Sequence, residues 1–224
     1  MKLYSHPFST AGRPVRMLIA EHGIDCEEVL VDLMKGAHHQ PPYSELNPSR
    51  MVPMLEDGDF RLTESSAILK YLAEKYDLPE YPKGLQERAR VNEVMDWLNT
   101  QFYRDFGYGL VYPQLFPHHK RRSDEAHEAA IEWGAKGAQR WLQVLDQHWL
   151  GQGNAYLCGN KITLADYLGS GIVSIGELVG CEFSEYANIR AWLGRMKQLK
   201  SWPQVNAVFE GAVAGNAGKE FVRV

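Results

Sequence analysis

The chain reads as an α/β domain built on a mixed four-stranded sheet, followed by an all-helical bundle domain. Three observations predict this. Residues 1–77 alternate short β-type runs with helical periodicity. Asp77 to Gly84 (DLPEYPKG) is rich in Pro and Gly and has no period, which marks a connection, taken as residues 78–84. From Leu85 onward the strand signals stop and apolar residues recur at helical spacing. The two domains are therefore expected to span 1–77 and 85–224.

Lys2-Leu3-Tyr4 is a short first strand. Arg13 to His22 is a helix with Val15, Leu18 and Ile19 on one face, and Gly23 stops it. Glu27 to Leu33, carrying Val29, Leu30 and Val31, is the second strand. Lys35 to Asn47 is polar and contains proline, so it is a loop with room for one short helix. Met54-Leu55 and Phe60-Arg61-Leu62 flank Asp57-Gly58, the pattern of a tight hairpin. Ser65 to Tyr76 closes the domain as a helix, with Ile68, Tyr71, Leu72 and Tyr76 on one face. The order β-α-β-(α)-β-β-α holds one crossover and one hairpin, which requires a mixed sheet with helices packed on it. This is the thioredoxin-like arrangement.

Leu85 to about Tyr112 reads as one long helix whose buried stripe is Val91, Val94, Met95, Leu98 and Phe102. Ser123 to Leu150 is another, carrying Ile131, Ala135, Ala138, Leu142 and Leu145. Between them, Tyr112 to Arg122 is a loop ending in a basic run, His118 to Arg122, expected to be exposed. Thr163 to Leu178 opens with a capping box, Thr163 and Asp166. Two more helices, Asn188 to Lys200 and Pro203 to Val213, precede a small, polar tail expected to be loose.

Composition narrows the function classes. The 224 residues are 45% hydrophobic and 23% charged, ordinary for a globular enzyme. A net charge of −4 gives no footprint for nucleic acid or an anionic membrane. No run approaches the roughly 20 apolar residues of a membrane span. Met1-Lys2 leads straight into a strand, so no secretory leader is expected. Cys26, Cys158 and Cys181 are widely spaced and form no metal-ligand or CxxC pattern, so no metal is expected and a reducing cytoplasm is the simplest setting.

The chemistry concentrates in two places. Asn47 to Leu72 (NPSRMVPMLEDGDFRLTESSAILKYL) places Val52-Pro53, the Asp57-Gly58 hairpin and a helix opening at Glu64-Ser65-Ser66 in fixed order. A helix start of that kind presents free N–H groups and a positive dipole end to an anion. Upstream, Ser9 lies in SHPFSTAGRPVR just ahead of the first helix, four residues before Arg13. Ser9 is either a helix cap or a donor to an anion, and Thr10 is the alternate donor.

Together these segments resemble the cytosolic glutathione transferases, in particular the theta-like and bacterial branch with a serine-type site. That resemblance implies glutathione as co-substrate, a cis Val52-Pro53 bond, and a homodimer. It implies that Ser9 donates to the glutathione sulfur, with Arg13 in the catalytic set. Val52 offers its main chain to the cysteinyl segment, and Glu64 and Ser65 hold the γ-glutamyl end. His38 and Arg50 correspond to positions facing the glycyl carboxylate, although His38-His39 also reads as a solvated loop pair. Met51 departs from the pattern, where lysine is usual. Arg13 and Arg16 orient Glu64 or serve a surface role. Phe8, Asn99, Tyr103, Arg104 and Tyr108 are the candidates for the electrophile site, while Trp97 and Phe102 read as core. The expected activity is transfer of a small electrophile to the thiolate. The alternatives are a regulatory or binding module of the same fold, and glutathione-dependent dehalogenation or peroxide reduction.

Overall fold

The computed structural model describes residues 1–224. Strands β1 (Lys2–Ser5), β2 (Glu27–Leu30), β3 (Met54–Asp57) and β4 (Phe60–Thr63) form one sheet in the order β2-β1-β3-β4. β1 is parallel to β2 and antiparallel to β3, and β3 turns back as β4, so the sheet is mixed as the element order requires. The register pairs Asp57 with Phe60, which makes Gly58 and Asp59 the two loop residues, one position later than the Asp-Gly pattern suggests. Gly58 takes the positive φ, 60°, that the first position of a tight hairpin favours in glycine. β2 stops at Leu30, short of the predicted Leu33. Asp32 turns the chain there by accepting the N–H groups of Met34 and Lys35. Helices α1 (Gly12–His22) and α3 (Ser65–Lys75) pack together beside the sheet, and α2 (Tyr43–Leu46) is a single turn.

In the second half, α4 (Leu85–Trp97) continues through π-helical turns at Leu98–Phe102 and Arg104–Val111 into α5 (Tyr112–Leu115). The predicted long helix exists, but its second half is wound more loosely than an α-helix. α6 (Asp124–Val144) starts where Ser123 Oγ accepts the Ala126 N–H at 3.2 Å. α7 (Leu164–Val173) carries the predicted capping box, with Asp166 Oδ2 accepting the Thr163 N–H at 2.8 Å. Asp166 also accepts from the Leu157 N–H and Trp192 Nε1, so the cap ties α7 to α8 (Ala187–Met196). α9 (Ser201–Gly215) is the last helix. No helix is long and apolar enough to cross a membrane.

The stripes Val91, Val94, Met95, Leu98, Phe102 and Ile131, Ala138, Leu142, Leu145 are buried as their spacing requires, whereas Ala135 of the second stripe is half-buried. One apolar core joins Leu3 of β1 and Val15 and Leu18 of α1 to Leu168 and Ile172 of α7 and Phe209 of α9, so the two halves share an interior. A second, small cluster of Val31, Tyr43, Val52 and Met54 lies apart from it. The connection is pinned on both sides: the Glu80 carbonyl accepts the Leu164 N–H at 3.0 Å, and its carboxylate meets His22 at 2.8 Å.

The tail corrects the expectation of looseness. The Val222 N–H donates to Gln114 Oε1 at 2.8 Å, and its carbonyl accepts from Gln114 Nε2 at 2.9 Å. Main-chain groups make this docking, so the small polar side chains gave no sign of it. α6 crosses the π-wound helix at a glycine pair, where a Cβ on Gly134 would lie 2.3 Å from the Gly109 carbonyl oxygen. Gly134→Ala is therefore expected to push the two helices apart at a cost of about 1–3 kcal/mol. The check is a lower denaturant midpoint with far-ultraviolet circular dichroism unchanged in water.

Candidate functional site

A cavity of about 530 Å³ lies between the two halves. Its floor begins with the loop after β1. Ser9 Oγ accepts the Gly12 N–H, the first of α1, at 3.1 Å, and the Ser9 carbonyl accepts the Gly12 and Arg13 N–H groups. Ser9 thus ties down the helix start and also lines the cavity with its hydroxyl proton uncommitted. The two roles read from the sequence are compatible. Gly12 permits the approach, because a Cβ there would lie 2.3 Å from Ser5 Oγ. Thr10, beside Ser9, accepts from Tyr112 Oη at 2.7 Å. The N–H groups of Thr10 and Ala11 have no acceptor within the chain.

The next segment is the loop before β3, organised by Asn47. Its Oδ1 accepts the Ser49 N–H at 3.0 Å, its carbonyl the Arg50 N–H at 2.9 Å, and its Nδ2 donates to the Met51 carbonyl at 2.8 Å. Tyr43 Oη donates to the same carbonyl at 2.5 Å. These bonds hold Arg50 at a φ of 53°. The Val52-Pro53 bond is cis. The Val52 side chain sits in the small cluster, and its own N–H and C=O have no partner within the chain. Met51 contributes a main-chain anchor and leaves its side chain exposed. His38 reaches the same cavity from a 3₁₀ turn, Ala37–His39, with its ring 3.8 Å from that of His39. Its Nδ1 is buried without a partner, and burial pushes its pKa down.

The N-terminus of α3 closes this side. Glu64 holds a φ of 66°, a region residues other than glycine rarely adopt, and such strain clusters at sites that use it. Its carboxylate bonds nothing in the chain, while Ser65 is buried and lines the cavity. Asn99 Nδ2 lies 3.4 Å from Ser66 Oγ and links this helix end to the opposite wall.

That wall is the π-wound helix. Asn99, Tyr103, Tyr108 and Tyr112 all line the cavity. Their spacing of four, five and four residues falls on one face because a π turn closes i to i+5. Phe8 faces them, its ring centroid 6.3 Å from that of Phe116 in an edge-on contact. Burial and the neighbouring tyrosines push the Tyr103 phenol well above its ordinary pKa, and burial pushes Tyr112 up to about 12.

Residues 1–74 match the family model for the glutathione S-transferase N-terminal domain, and residues 109–200 match that for the C-terminal domain. Human glutathione S-transferase theta-1 is 36% identical over 211 residues, 91% of this chain and 81% of that protein. Rat theta-2 is 33% identical over 95% of this chain and 82% of its own length. The structure of human glutathione transferase theta-2 in complex with glutathione and an unknown ligand superposes with a TM-score of 0.84 at 30% identity, covering 99% of this chain and 92% of that one. The chain belongs to the glutathione S-transferase family.

Within this family member, two residues read as functional lie elsewhere. Arg13 is fully buried outside the cavity, where it donates to Asn206 Oδ1 at 2.8 Å, the Gly171 carbonyl at 2.8 Å and Ser174 Oγ at 3.2 Å. It does not orient Glu64, and neither does Arg16, which pairs with Glu28. Arg104 is exposed and pairs with Asp105 at 2.8 Å. In a regular α-helix Arg104 would share a face with Tyr108, four residues on. The π turn puts Tyr103 there instead.

Other cavity residues escaped the sequence reading. Tyr112, Phe116, Leu178 and Phe209 line the apolar end, and His118 and His119 fold over its rim. The basic run hid those histidines, although the aromatic spacing Tyr108, Tyr112, Phe116 was a usable signal. Asn47 is the other omission. Removing its side chain leaves the Ser49 N–H unpaired and the Met51 carbonyl with one donor, Tyr43, in place of two. Asn47→Ala is expected to cost about 1–3 kcal/mol and to speed amide exchange at Ser49, which hydrogen-exchange mass spectrometry can read.

Proposed function

We propose that the protein is a glutathione S-transferase that ionises the thiol of glutathione and directs it at a small hydrophobic electrophile. One observation carries this reading. Three sets of uncommitted polar groups follow one another along a single cavity: the Ser9 loop, the main chain of Val52, and the Glu64-Ser65 helix start. They suit, in order, a thiolate, a peptide segment, and an amino acid end that carries both an ammonium and a carboxylate. The Val52 N–H and C=O take the cysteinyl segment as an added strand does. Glu64 takes the ammonium, and Ser65 with the α3 N–H groups takes the α-carboxylate. His38 and Arg50 lie on the side left for the glycyl carboxylate.

The reaction follows from the Ser9 loop. A free thiol has a pKa of about 8.5, so little is ionised at neutral pH. A hydrogen bond to the charged sulfur is worth about 1.5–3 kcal/mol, which lowers the pKa by roughly one to two units. The proton leaves to solvent. The thiolate lone pair forms the new C–S bond, and the leaving group departs with its electron pair. Phe8, Asn99, Tyr103 and Tyr108 hold the electrophile next to the sulfur, so proximity adds to activation. A regulatory module of this fold would need none of this ionisation.

Calorimetry with glutathione and ultraviolet titration of the bound thiol test the reading together. Glu64→Ala should weaken binding by about 1–3 kcal/mol. Ser9→Ala should raise the thiol pKa and keep the affinity measured well below that pKa. A protein that binds no glutathione, or leaves its thiol at the free pKa, is not this enzyme.

We also place the protein in the cytoplasm, where Cys26, Cys158 and Cys181 would stay as the free thiols they are here. It acts as a two-fold homodimer, which covers apolar side chains such as Met51, 58% exposed, and Phe60, 48% exposed. Light scattering at micromolar concentration should give twice the protomer mass. A protomer mass would remove the dimer.

A further inference from the structure

Tyr103, Tyr112 and Thr10 stand in single file. Tyr103 Oη is 2.5 Å from Tyr112 Oη, and Tyr112 donates to Thr10 Oγ1 at 2.7 Å. The file crosses the cavity wall, from the π-wound helix of one half to the loop that carries Ser9 in the other. Each hydroxyl has one proton to give. Tyr112 gives its proton to Thr10, so its oxygen accepts that of Tyr103. The Thr10 proton then has no acceptor in the chain, and Thr10 lines the cavity beside Ser9.

We infer that Tyr112, held by Tyr103, is a positioning residue that turns the Thr10 hydroxyl toward the glutathione sulfur, making Thr10 a second donor to the thiolate beside Ser9. The inference rests on the proposed function and extends it from one hydroxyl to two. The physics is that of a polarised chain. Each bond strengthens the next by about 10–30%, and an anion at the Thr10 end favours this order of donors over its reverse. Burial supports the file by keeping both phenols protonated through the neutral range, Tyr112 pushed up to about 12 and Tyr103 well above its ordinary value.

The other charged and titratable groups around the file are Arg13 behind Tyr112, Tyr108 beside both phenols, and Glu64 across from Tyr108. Four histidines, His6, His38, His118 and His119, line the same cavity. Burial pushes the pKa of His6, His38 and His119 down.

The test is ultraviolet titration of glutathione bound to the full-length protein and its variants. Tyr112→Phe should raise the thiol pKa by about 0.5 unit, the loss of polarisation carried by one bond. Thr10→Val should raise it by about 1–2 units, and Thr10→Ser should restore the parent value. Tyr103→Phe should give a shift smaller than that of Tyr112→Phe. Glutathione affinity measured well below the thiol pKa should stay at the parent value throughout, because the file touches only the ionised sulfur. Parent pKa values in both Tyr112→Phe and Thr10→Val would overturn the inference. So would a loss of affinity at constant pKa, which would make the tyrosines plain wall. If Tyr112→Phe fails to fold, the Thr10→Val and Thr10→Ser pair decides the donor and Tyr103→Phe decides the file. A parent protein that binds no glutathione would bring down the proposed function, and this inference with it; a parent that lowers the thiol pKa while the variants change nothing would bring down the file alone.

Discussion

The guanidinium of Arg13 is the group around which the two halves are arranged. It is fully buried, lies 3.8 Å from the Phe209 ring centroid, and donates to groups at the end of α7, just beyond it, and in α9. No carboxylate hydrogen-bonds it. Burial lowers its pKa to about 10, which leaves it charged at neutral pH. A buried charge that loses its ligands is strongly destabilising, so α1 is held at one position against the helical half. The turn that presents Ser9 and Thr10 is the start of α1 and inherits that position. The cavity between the halves is therefore set by a cation that never enters it.

A second constraint is the pairing of loose winding with aromatic side chains. The π turns bring three tyrosines and Asn99 into one row, and the row supplies both the apolar wall and the bond to Thr10. The shared core below it keeps the wall rigid, since Phe102 and Phe106 on the opposite side of the same helix are fully buried. Packing fixes one face of this helix, and the other is left to meet a ligand.

Much of this was legible in the sequence. Element order dictated the mixed sheet, helical spacing gave the buried stripes, and Thr163 with Asp166 announced α7. The order of Val52-Pro53, Asp57-Gly58 and Glu64-Ser65 led to the cavity. What stayed hidden has physical reasons. Arg13 was read as catalytic because its spacing from Ser9 is visible, whereas its partners lie more than 150 residues away in sequence. Arg104 was placed on the wrong face because an α period was assumed where the helix is π-wound. Asn47 reads as an ordinary turn residue, and only the fold shows that it braces the main chain of a whole loop. The docked tail is held by main-chain groups that no residue pattern encodes.

The loosened helix also bears on how this scaffold can change length. The interior of a helix is ordinarily the worst place to add a residue, because every side chain beyond the addition turns by about 100°. A π turn takes up the added residue and returns the downstream face to where it was. A chain one residue shorter between Tyr103 and Tyr108 would present the same two rings with plain α turns. Loss of one residue at this point is nearly silent for the wall, so the segment can shorten while the shape of the cavity persists.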